Sequence, residues 1–210
     1  MKQIIKIFIY SIFLFTSLLL NAQNKKLKEG DLLFQHLSCG NFCDAIEAVT
    51  PAYNGMHFAH VGILIKNEQK QWVVAEAISK GVYLTPLDTF ISRSGTKNIY
   101  VGRLKPKYKL PTLKEIEKYI GKPYDTVFNI HNDAYYCSEL VYFLYFYSNK
   151  PIFNLSPMTF KEPKTHNYFP AWIEYFNKMH QPIPEGEPGL NPGSIINQKE
   201  VFEQISPLEK

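Results

Sequence analysis

Short apolar runs separated by a few polar residues occupy the middle of the chain. They lie at residues 30–34, 57–65, 72–77, 81–86 and 99–104. Runs of this length, rich in Val, Ile and aromatic residues and bounded by turn-forming residues, predict β-strands. Because the second, third and fourth runs follow one another after only short polar separations, we predict antiparallel hairpins rather than crossover connections.

Helical patterns follow the strands. Thr112 and Glu115 form a capping-box signature, which predicts a helix running to about Ile120, before Gly121. The run from Cys137 to Tyr147 lacks Gly and Pro and has apolar residues on every face, so we predict a helix buried on most sides. Further helical turns are predicted over 44–49 and 170–179. Strands followed by helices in this order favour an α+β fold with antiparallel strands and a buried helix that begins at Cys137.

Residues 181–193 are rich in Pro and Gly. We predict an extended tail laid over the surface of the domain, with a short helix or a frayed end beyond it and no catalytic group. The chain then divides into a leader over 1–22, one domain over 23–180 and a tail over 181–210.

The leader has the pattern of a secretory signal peptide. Lys2 and Lys6 accompany a nearly continuous apolar stretch from Ile4 to Leu20, and Ala22 provides a small residue before a cleavage point. We expect cleavage after Ala22, with an uncleaved N-terminal anchor as the alternative. Export would place the protein in the periplasm or outside a bacterial cell.

Charge and cysteine content narrow the function classes. The chain has a formal net charge of +4, which falls to +2 once the leader with its two lysines is removed, so the charge gives no indication of nucleic-acid binding. Cys39 and Cys43 are four residues apart and are either joined in a disulfide, unlinked thiols or, with His36 and His57, part of a metal site. The spacing matches no established zinc pattern, and we expect neither a metal nor a cofactor.

Three polar residues in apolar surroundings carry the candidate chemistry. Cys137 opens its predicted helix, where unpaired N–H groups and the helix dipole favour a thiolate. His60 is the polar residue at the start of an apolar run. Glu76 lies between two alanines in the next strand, and a buried carboxylate must be paired, so we expect His60 beside it. A thiol, an imidazole and a carboxylate are the groups of a thiol hydrolase.

The residues around these three resemble a known family. A helix followed by Gly121-Lys-Pro-Tyr124 and then by Tyr136-Cys-Ser-Glu-Leu-Val141 is similar to the cysteine-bearing module of the NlpC-type, papain-like cysteine peptidases. Gly30-Asp-Leu-Leu-Phe34, His60-Val-Gly-Ile63 and Val74-Ala-Glu-Ala77 resemble the strand module of the same superfamily. Here the strand module comes first, an order that resembles the circularly permuted YiiX/YaeF-like amidases.

The resemblance implies a permuted papain-like fold, in which an antiparallel sheet or half-barrel packs against the buried helix that carries Cys137, and it also implies a function. Cys137 would be the nucleophile, His60 the general base and Glu76 the residue that orients the imidazole, while Tyr124, Tyr136 and Ser138 would lie near the substrate or its oxyanion. The expected activity is cleavage of an amide bond in a peptide, a cell-wall fragment or an N-acylated molecule through a thioacyl-enzyme.

Two other functions remain open. One is a lipid acyltransferase or thioesterase, which leaves contact with a membrane or lipid open, and the other is a non-catalytic binding module. The ordinary module has Gly-Gly where this chain has Asp125-Thr126, and Gly where it has Glu139, so the stem-peptide substrate of ordinary members does not carry over.

Overall fold

The centre of the fold is a six-stranded antiparallel sheet. A computed structural model describes residues 27–38 and 40–209, so Cys39 and the predicted leader lie outside the described residues. The strand order is β10–β5–β1–β2–β3–β4, and every neighbouring pair is antiparallel. The bounds are β1 Leu32–Gln35, β2 His60–Lys66, β3 Trp72–Ile78, β4 Gly81–Pro86, β5 Ile99–Leu104 and β10 Phe202–Pro207. The five predicted strands and their antiparallel pairing are confirmed.

Helices and short two-residue strands cover the sheet. The α-helices are α1 Asn41–Ala48, α2 Leu87–Ser92, α3 Leu113–Glu117, α4 Cys137–Leu144, α5 Pro170–Lys178 and α6 Pro192–Ile196. The short strands pair as β6 Phe146–Tyr147 with β7 Lys150–Pro151, and β8 Ser156–Pro157 with β9 Pro188–Gly189. Short 3₁₀ turns occupy Thr96–Asn98 and Lys199–Val201. Among the described residues no helix is long and apolar enough to cross a membrane.

Both faces of the central strands are buried, which explains their near-continuous apolar sequences. In β2, Val61 and Ile63 belong to the larger hydrophobic cluster, which also contains Leu140 of α4. Leu64 belongs to the cluster on the other face, together with Phe90 of α2. Strands covered on both sides lose the polar alternation of a half-exposed sheet. α4 and α2 therefore pack on opposite faces of the same strands.

The helix that begins at Cys137 is shorter than predicted. It ends at Leu144, and Tyr145 is already extended, with φ −111° and ψ 113°. Ser148 and Asn149 both have positive φ, 50° and 61°, which suits the two-residue turn of the β6–β7 hairpin. The prediction of helix through Tyr147 was wrong because this turn and the aromatic residues before it favour a hairpin over another helical turn.

The Pro/Gly-rich C-terminal segment does more than cover the domain. Its last strand, β10, pairs with β5 and forms one edge of the sheet. Ile195 and Ile196 of α6 are fully buried in the larger cluster. Gly193 packs so closely that an added Cβ would collide with the Pro51 carbonyl. The C-terminal segment is thus part of the core, in addition to covering the domain as predicted.

Candidate active site

Cys137 lies where a loop meets α4. It is the first residue of the helix, follows the extended residue Tyr136, and is 7% exposed. The first N–H groups of a helix have no intrahelical acceptor and project outward from its N-terminal end, so they favour a negative charge at that end. The loop is held by a hydrogen bond from Tyr135 N–H to the Pro123 carbonyl, 2.9 Å, which joins the two parts of the cysteine-bearing module.

His60 and Glu76 meet across adjacent strands. Ile63 of β2 pairs with Ala75 of β3, which makes His60 and Glu76 diagonal neighbours on one face of the sheet. His60 Nε2 lies 2.6 Å from Glu76 Oε2, and the carboxylate is fully buried. The expected pairing of the two side chains is therefore confirmed. Gly62 lies two residues after His60, and a Cβ at this position would come within 3.3 Å of the Phe90 ring.

The imidazole of His60 connects the carboxylate to the sulfur. The imidazole and the Cys137 sulfur each shift the pKa of the other, so the two groups lie within interaction range. Because Nε2 bonds Glu76, Nδ1 is the ring nitrogen that remains available to the thiol. The three side chains predicted from separate stretches of sequence thus form one row, and His60 is in its middle.

The row favours an ion pair between sulfur and imidazole. Burial alone would raise the pKa of Cys137, but the hydrogen bond and charge of His60 hold that pKa below the ordinary thiol value, with help from the Ser138 hydroxyl and the Val61 N–H. Burial alone would lower the pKa of His60, yet its hydrogen bonds to Cys137 and Glu76 raise it to about 9. Both shifts favour a thiolate beside an imidazolium.

Glu76 has partners that the sequence did not predict. Arg93, just after α2, donates from Nη2 to Glu76 Oε1 over 2.5 Å. The Thr85 hydroxyl of β4 also favours the ionised carboxylate and contributes to its low pKa. Burial would raise the pKa of Glu76, but the hydrogen bond and charge of His60, followed by Arg93 and Thr85, lower it to about 2. The need of a buried carboxylate for a cation was the available signal, but it did not identify Arg93.

The three residues expected near the substrate have different surroundings. Tyr124 lines the cavity beside Cys137, and burial, followed by the nearby sulfur, raises its pKa well above the ordinary value, which keeps the hydroxyl protonated as a donor. Tyr136 is buried, and its hydroxyl accepts the Leu190 N–H at 3.1 Å. Ser138 is fully buried, with its oxygen 3.9 Å from the sulfur of Cys137.

A cavity of about 210 Å³ opens beside the sulfur. Its wall is mainly apolar and aromatic. It comes from the end of α1 and the residues after it, Ala59 before β2, the cysteine loop, the segment from β8 to α5 and the C-terminal segment. Trp172 and Phe160 are packed edge to face at 5.0 Å and form one side of it. The tail, in which we predicted no catalytic group, contributes Leu190, Asn191 and Ser194 to this wall.

A second buried carboxyl lies two residues after the sulfur. Glu139 Oε2 accepts the Tyr136 N–H at 3.2 Å, which caps the start of α4. Within the described residues, Glu139 Oε1 has no hydrogen-bond partner. Burial, followed by the charges of Asp125 and Cys137, raises the pKa of Glu139 to about 8.

The cysteines differ in state. Cys137 is free, whereas Cys43 is disulfide-bonded. Cys39, the other half of the predicted pair, lies outside the described residues. In the described ranges, no group of three or more His, Cys, Asp or Glu side chains is arranged to hold a metal ion.

Comparisons with known proteins identify relatives of this chain. A sequence model of the permuted papain-like amidase enzymes, the YaeF/YiiX or C92 family, matches residues 26–202. The uncharacterized protein YiiX of Escherichia coli K12 is 33% identical over 121 residues, which are 55% of this chain and 56% of that protein, so the match spans about half the length of this curated relative. The crystal structure of the metalloprotein YiiX from E. coli O157:H7 superposes with a TM-score of 0.62 and 26% identity, over 87% of this chain and 97% of that one.

Proposed function

The chain belongs to the permuted papain-like amidase family, and on that premise we propose that it is an exported cysteine hydrolase that cleaves amide bonds through a thioacyl-enzyme. One observation carries the proposal: a sulfur, an imidazole and a carboxylate form a buried row beside a cavity, and the charges in that row favour the thiolate. A cysteine that only fills the core would not need a charged partner, and an isolated ion pair would not need a cavity beside it.

The row supplies the groups of each step. The Cys137 thiolate attacks the amide carbonyl, and the carbonyl electrons move to oxygen. The His60 imidazolium then gives its proton to the leaving nitrogen as the C–N bond breaks, which releases an amine and leaves a thioester. Neutral His60 takes a proton from water, the resulting hydroxide attacks the thioester, and the acid is released while the thiolate and imidazolium re-form. Glu76 holds the imidazole in orientation and stabilises its charged form.

We infer two donors that would stabilise the oxyanion. The Cys137 N–H at the start of α4 is one, as expected of a helix N-terminus beside a nucleophile. The Tyr124 hydroxyl, protonated and facing the same cavity, is the other. Tyr136 is assigned to the cavity wall instead, since its hydroxyl already accepts the Leu190 N–H.

The cavity supports an apolar acyl group as the part of the substrate next to the carbonyl. Phe128, Phe160, Trp172 and Leu190 offer a carbon surface, and a charged stem peptide would bury its polar groups against them without partners. An N-acylated molecule therefore fits better than a cell-wall fragment. The same wall suits a lipid acyltransferase or thioesterase, in which the acceptor or the leaving group differs and the thioacyl-enzyme is shared.

Export is part of the proposal. The leader pattern supports it, and so does the disulfide at Cys43, because such bonds persist mainly in oxidising compartments. We therefore place the protein in the periplasm or outside the cell. The related protein of solved structure is called a metalloprotein, but the donor sets in the described part of this chain do not fit a metal centre, and no step above is routed through one.

The test is capture of the thioacyl-enzyme. The protein is incubated with activated amides and esters whose acyl groups range from acetyl to long-chain and from apolar to charged, and its intact mass is then measured. We expect an adduct of one acyl group on Cys137, formed fastest with apolar acyl groups and absent in Cys137→Ala. Release of the free acid over time indicates hydrolysis, while movement of the acyl group to an added amine or alcohol indicates transfer. An adduct that persists in Cys137→Ala would refute the proposed nucleophile.

A further inference from the structure

Arg93 lies outside the predicted triad, and its positive charge reaches into the row. Its Nη2 donates to Glu76 Oε1 over 2.5 Å, while the other carboxylate oxygen, Oε2, lies 2.6 Å from His60. Glu76 itself is fully buried, whereas the Arg93 side chain is 31% exposed. The carboxylate is thus held from both sides, by the imidazole within the row and by a guanidinium at the protein surface.

The turn that carries Arg93 is built to hold the guanidinium in place. Gln35 of β1, opposite His60 in the sheet, donates from Nε2 to the Phe90 carbonyl at 2.7 Å and to the Ser94 hydroxyl at 2.8 Å. These bonds fix the end of α2 on either side of Arg93. The guanidinium then stacks over the Phe90 ring at 4.9 Å, and the other neighbour of that ring is His60, 5.9 Å between centroids. A surface ion pair needs none of these supports.

The charges of the row explain what the guanidinium contributes. A thiolate, an imidazolium and a carboxylate together carry one net negative charge in a buried place, and such a charge is costly unless a cation compensates it. Arg93 brings the sum to zero. The groups that face Glu76 are His60 from β2, Thr85 from β4 and Arg93 after α2; those that face the sulfur are His60, Tyr124, Tyr136, Ser138 and Glu139. Among these groups, Arg93 supplies the permanent positive charge.

We propose that Arg93 is a positioning residue of the active site, which keeps Glu76 ionised and fixed and through it keeps His60 charged and Cys137 a thiolate. The inference rests on the proposed function, since it assigns Arg93 to the same row. Arg93 acts through Glu76 and does not touch the sulfur or the cavity. Without it, the buried row keeps an uncompensated negative charge and Glu76 loses one of the partners that fix it, so the thiolate forms only at higher pH.

The experiment measures the reactivity of Cys137, which requires no knowledge of the substrate. Iodoacetamide labelling of the folded protein is followed across pH by mass spectrometry of the Cys137 peptide, in the wild type, Arg93→Met and Arg93→Lys. We expect the midpoint of labelling to move up by about one pH unit in Arg93→Met, because loss of a cation from the row disfavours the anionic form of the buried thiol. Arg93→Lys should lie in between, since an ammonium keeps the charge but not the planar donor.

A matched control exists within the same sheet. Arg103 donates to both oxygens of the buried Asp31, at 2.9 Å and 2.7 Å. The hydrogen-bond and ion-pair partners described above for His60, Glu76 and Cys137 include neither Arg103 nor Asp31. Arg103→Met should lower the melting temperature and leave the labelling midpoint unchanged. In Arg93→Ala, guanidinium added at non-denaturing concentration should restore part of the wild-type midpoint, whereas the labelling of Arg103→Met should not respond. Arg93→Gln replaces Arg93→Met if the latter does not fold.

The outcomes separate the inference from the proposed function. A wild-type midpoint well below that of an ordinary thiol, unchanged in the Arg93 variants, would overturn the role of Arg93 and leave the proposed function intact. A wild-type midpoint equal to that of an ordinary thiol would reject both. A shift of equal size in Arg103→Met would show a general effect of lost ion pairs and would also overturn the role of Arg93.

Discussion

Glu76 and Glu139 are two fully buried carboxyl groups next to the same cysteine–histidine pair, and they differ in charge. Glu76 has an imidazole, a guanidinium and a hydroxyl as partners, and its pKa is lowered to about 2. Glu139 has one backbone N–H on Oε2, and its pKa is raised to about 8. Both are 0% exposed, so burial alone does not decide their ionisation. The partners decide it: a carboxylate with cations serves as an orienting anion, whereas a carboxyl without one stays a neutral cap.

The largest effect is expected at Glu76, when Glu is replaced by Gln separately at each of the two sites. Glu76→Gln leaves His60 without its counter-charge and allows the wrong tautomer, so acylation of Cys137 should slow by about 10³- to 10⁴-fold, the range known for an orienting carboxylate in a triad. Glu139→Gln replaces a carboxyl that is already neutral at pH 7 with a neutral amide of the same shape. Its acylation rate at pH 7 should stay close to that of the wild type.

The measurement is the initial rate of thioester formation with the best acyl donor of the capture experiment. Thermal melts of both variants provide the control, because a loss of rate in an unfolded protein carries no information. If Glu76→Gln unfolds but its remaining folded fraction acylates at the wild-type rate, Glu76 is a structural residue. Equal losses in the two variants would remove the distinction between the two carboxyls.

A second effect concerns stability and separates the two sites by pH. The folded state binds the Glu139 proton more tightly than the unfolded state does, because the pKa rises from 4.5 to about 8 on folding. The stabilisation from this proton is fully present below pH 4.5 and is lost as the pH rises toward 8. Glu139→Gln has no titratable proton at this position, so it does not lose this stabilisation as the pH rises. We therefore expect this variant to melt at least about 5 °C above the wild type at pH 8 and to match it near pH 4.

Differential scanning calorimetry of the two proteins at pH 4, 6 and 8 makes this comparison. Glu76→Gln should melt below the wild type, the opposite sign. The lowered pKa of Glu76 stabilises the folded wild type above pH 4.5, and that stabilisation is lost as the pH falls through about 2. A melting difference for Glu139→Gln that is the same at all three pH values would mean that Glu139 does not titrate in this range.

The sequence predicted those features whose cause is local or whose need is obvious. The strands follow from their apolar runs, and the cap of α3 follows from Thr112 and Glu115, which form the predicted capping box. The pairing of His60 with Glu76 followed from one physical requirement, that a carboxylate within a buried strand must have a partner. Each of these can be read from a few neighbouring residues.

What the sequence did not predict depends on distant parts of the chain meeting. Arg93 lies 17 residues after Glu76 and reaches it only because α2 folds back over β3 and β4. The hairpin after Leu144 depended on two residues with positive φ that an apolar pattern does not show. The charge of Glu139 depends on what is missing near it, since no cation among the described residues bonds its carboxyl, and a motif alone cannot show that.

The smallest effect is expected at Thr85, the third partner of Glu76. Its hydroxyl adds one hydrogen bond to a carboxylate that His60 and Arg93 already hold, and this bond comes after theirs among the causes of the low pKa. Thr85→Val keeps the shape and removes the donor, so the labelling midpoint of Cys137 should rise by only a few tenths of a pH unit, corresponding to a hydrogen bond of about 1 kcal/mol or less. Thr85→Ser, which keeps the hydroxyl, should restore the wild-type midpoint and so exclude a packing effect. A shift in Thr85→Val as large as that in Arg93→Met would contradict the order of the partners, because one neutral donor would then matter as much as a full positive charge.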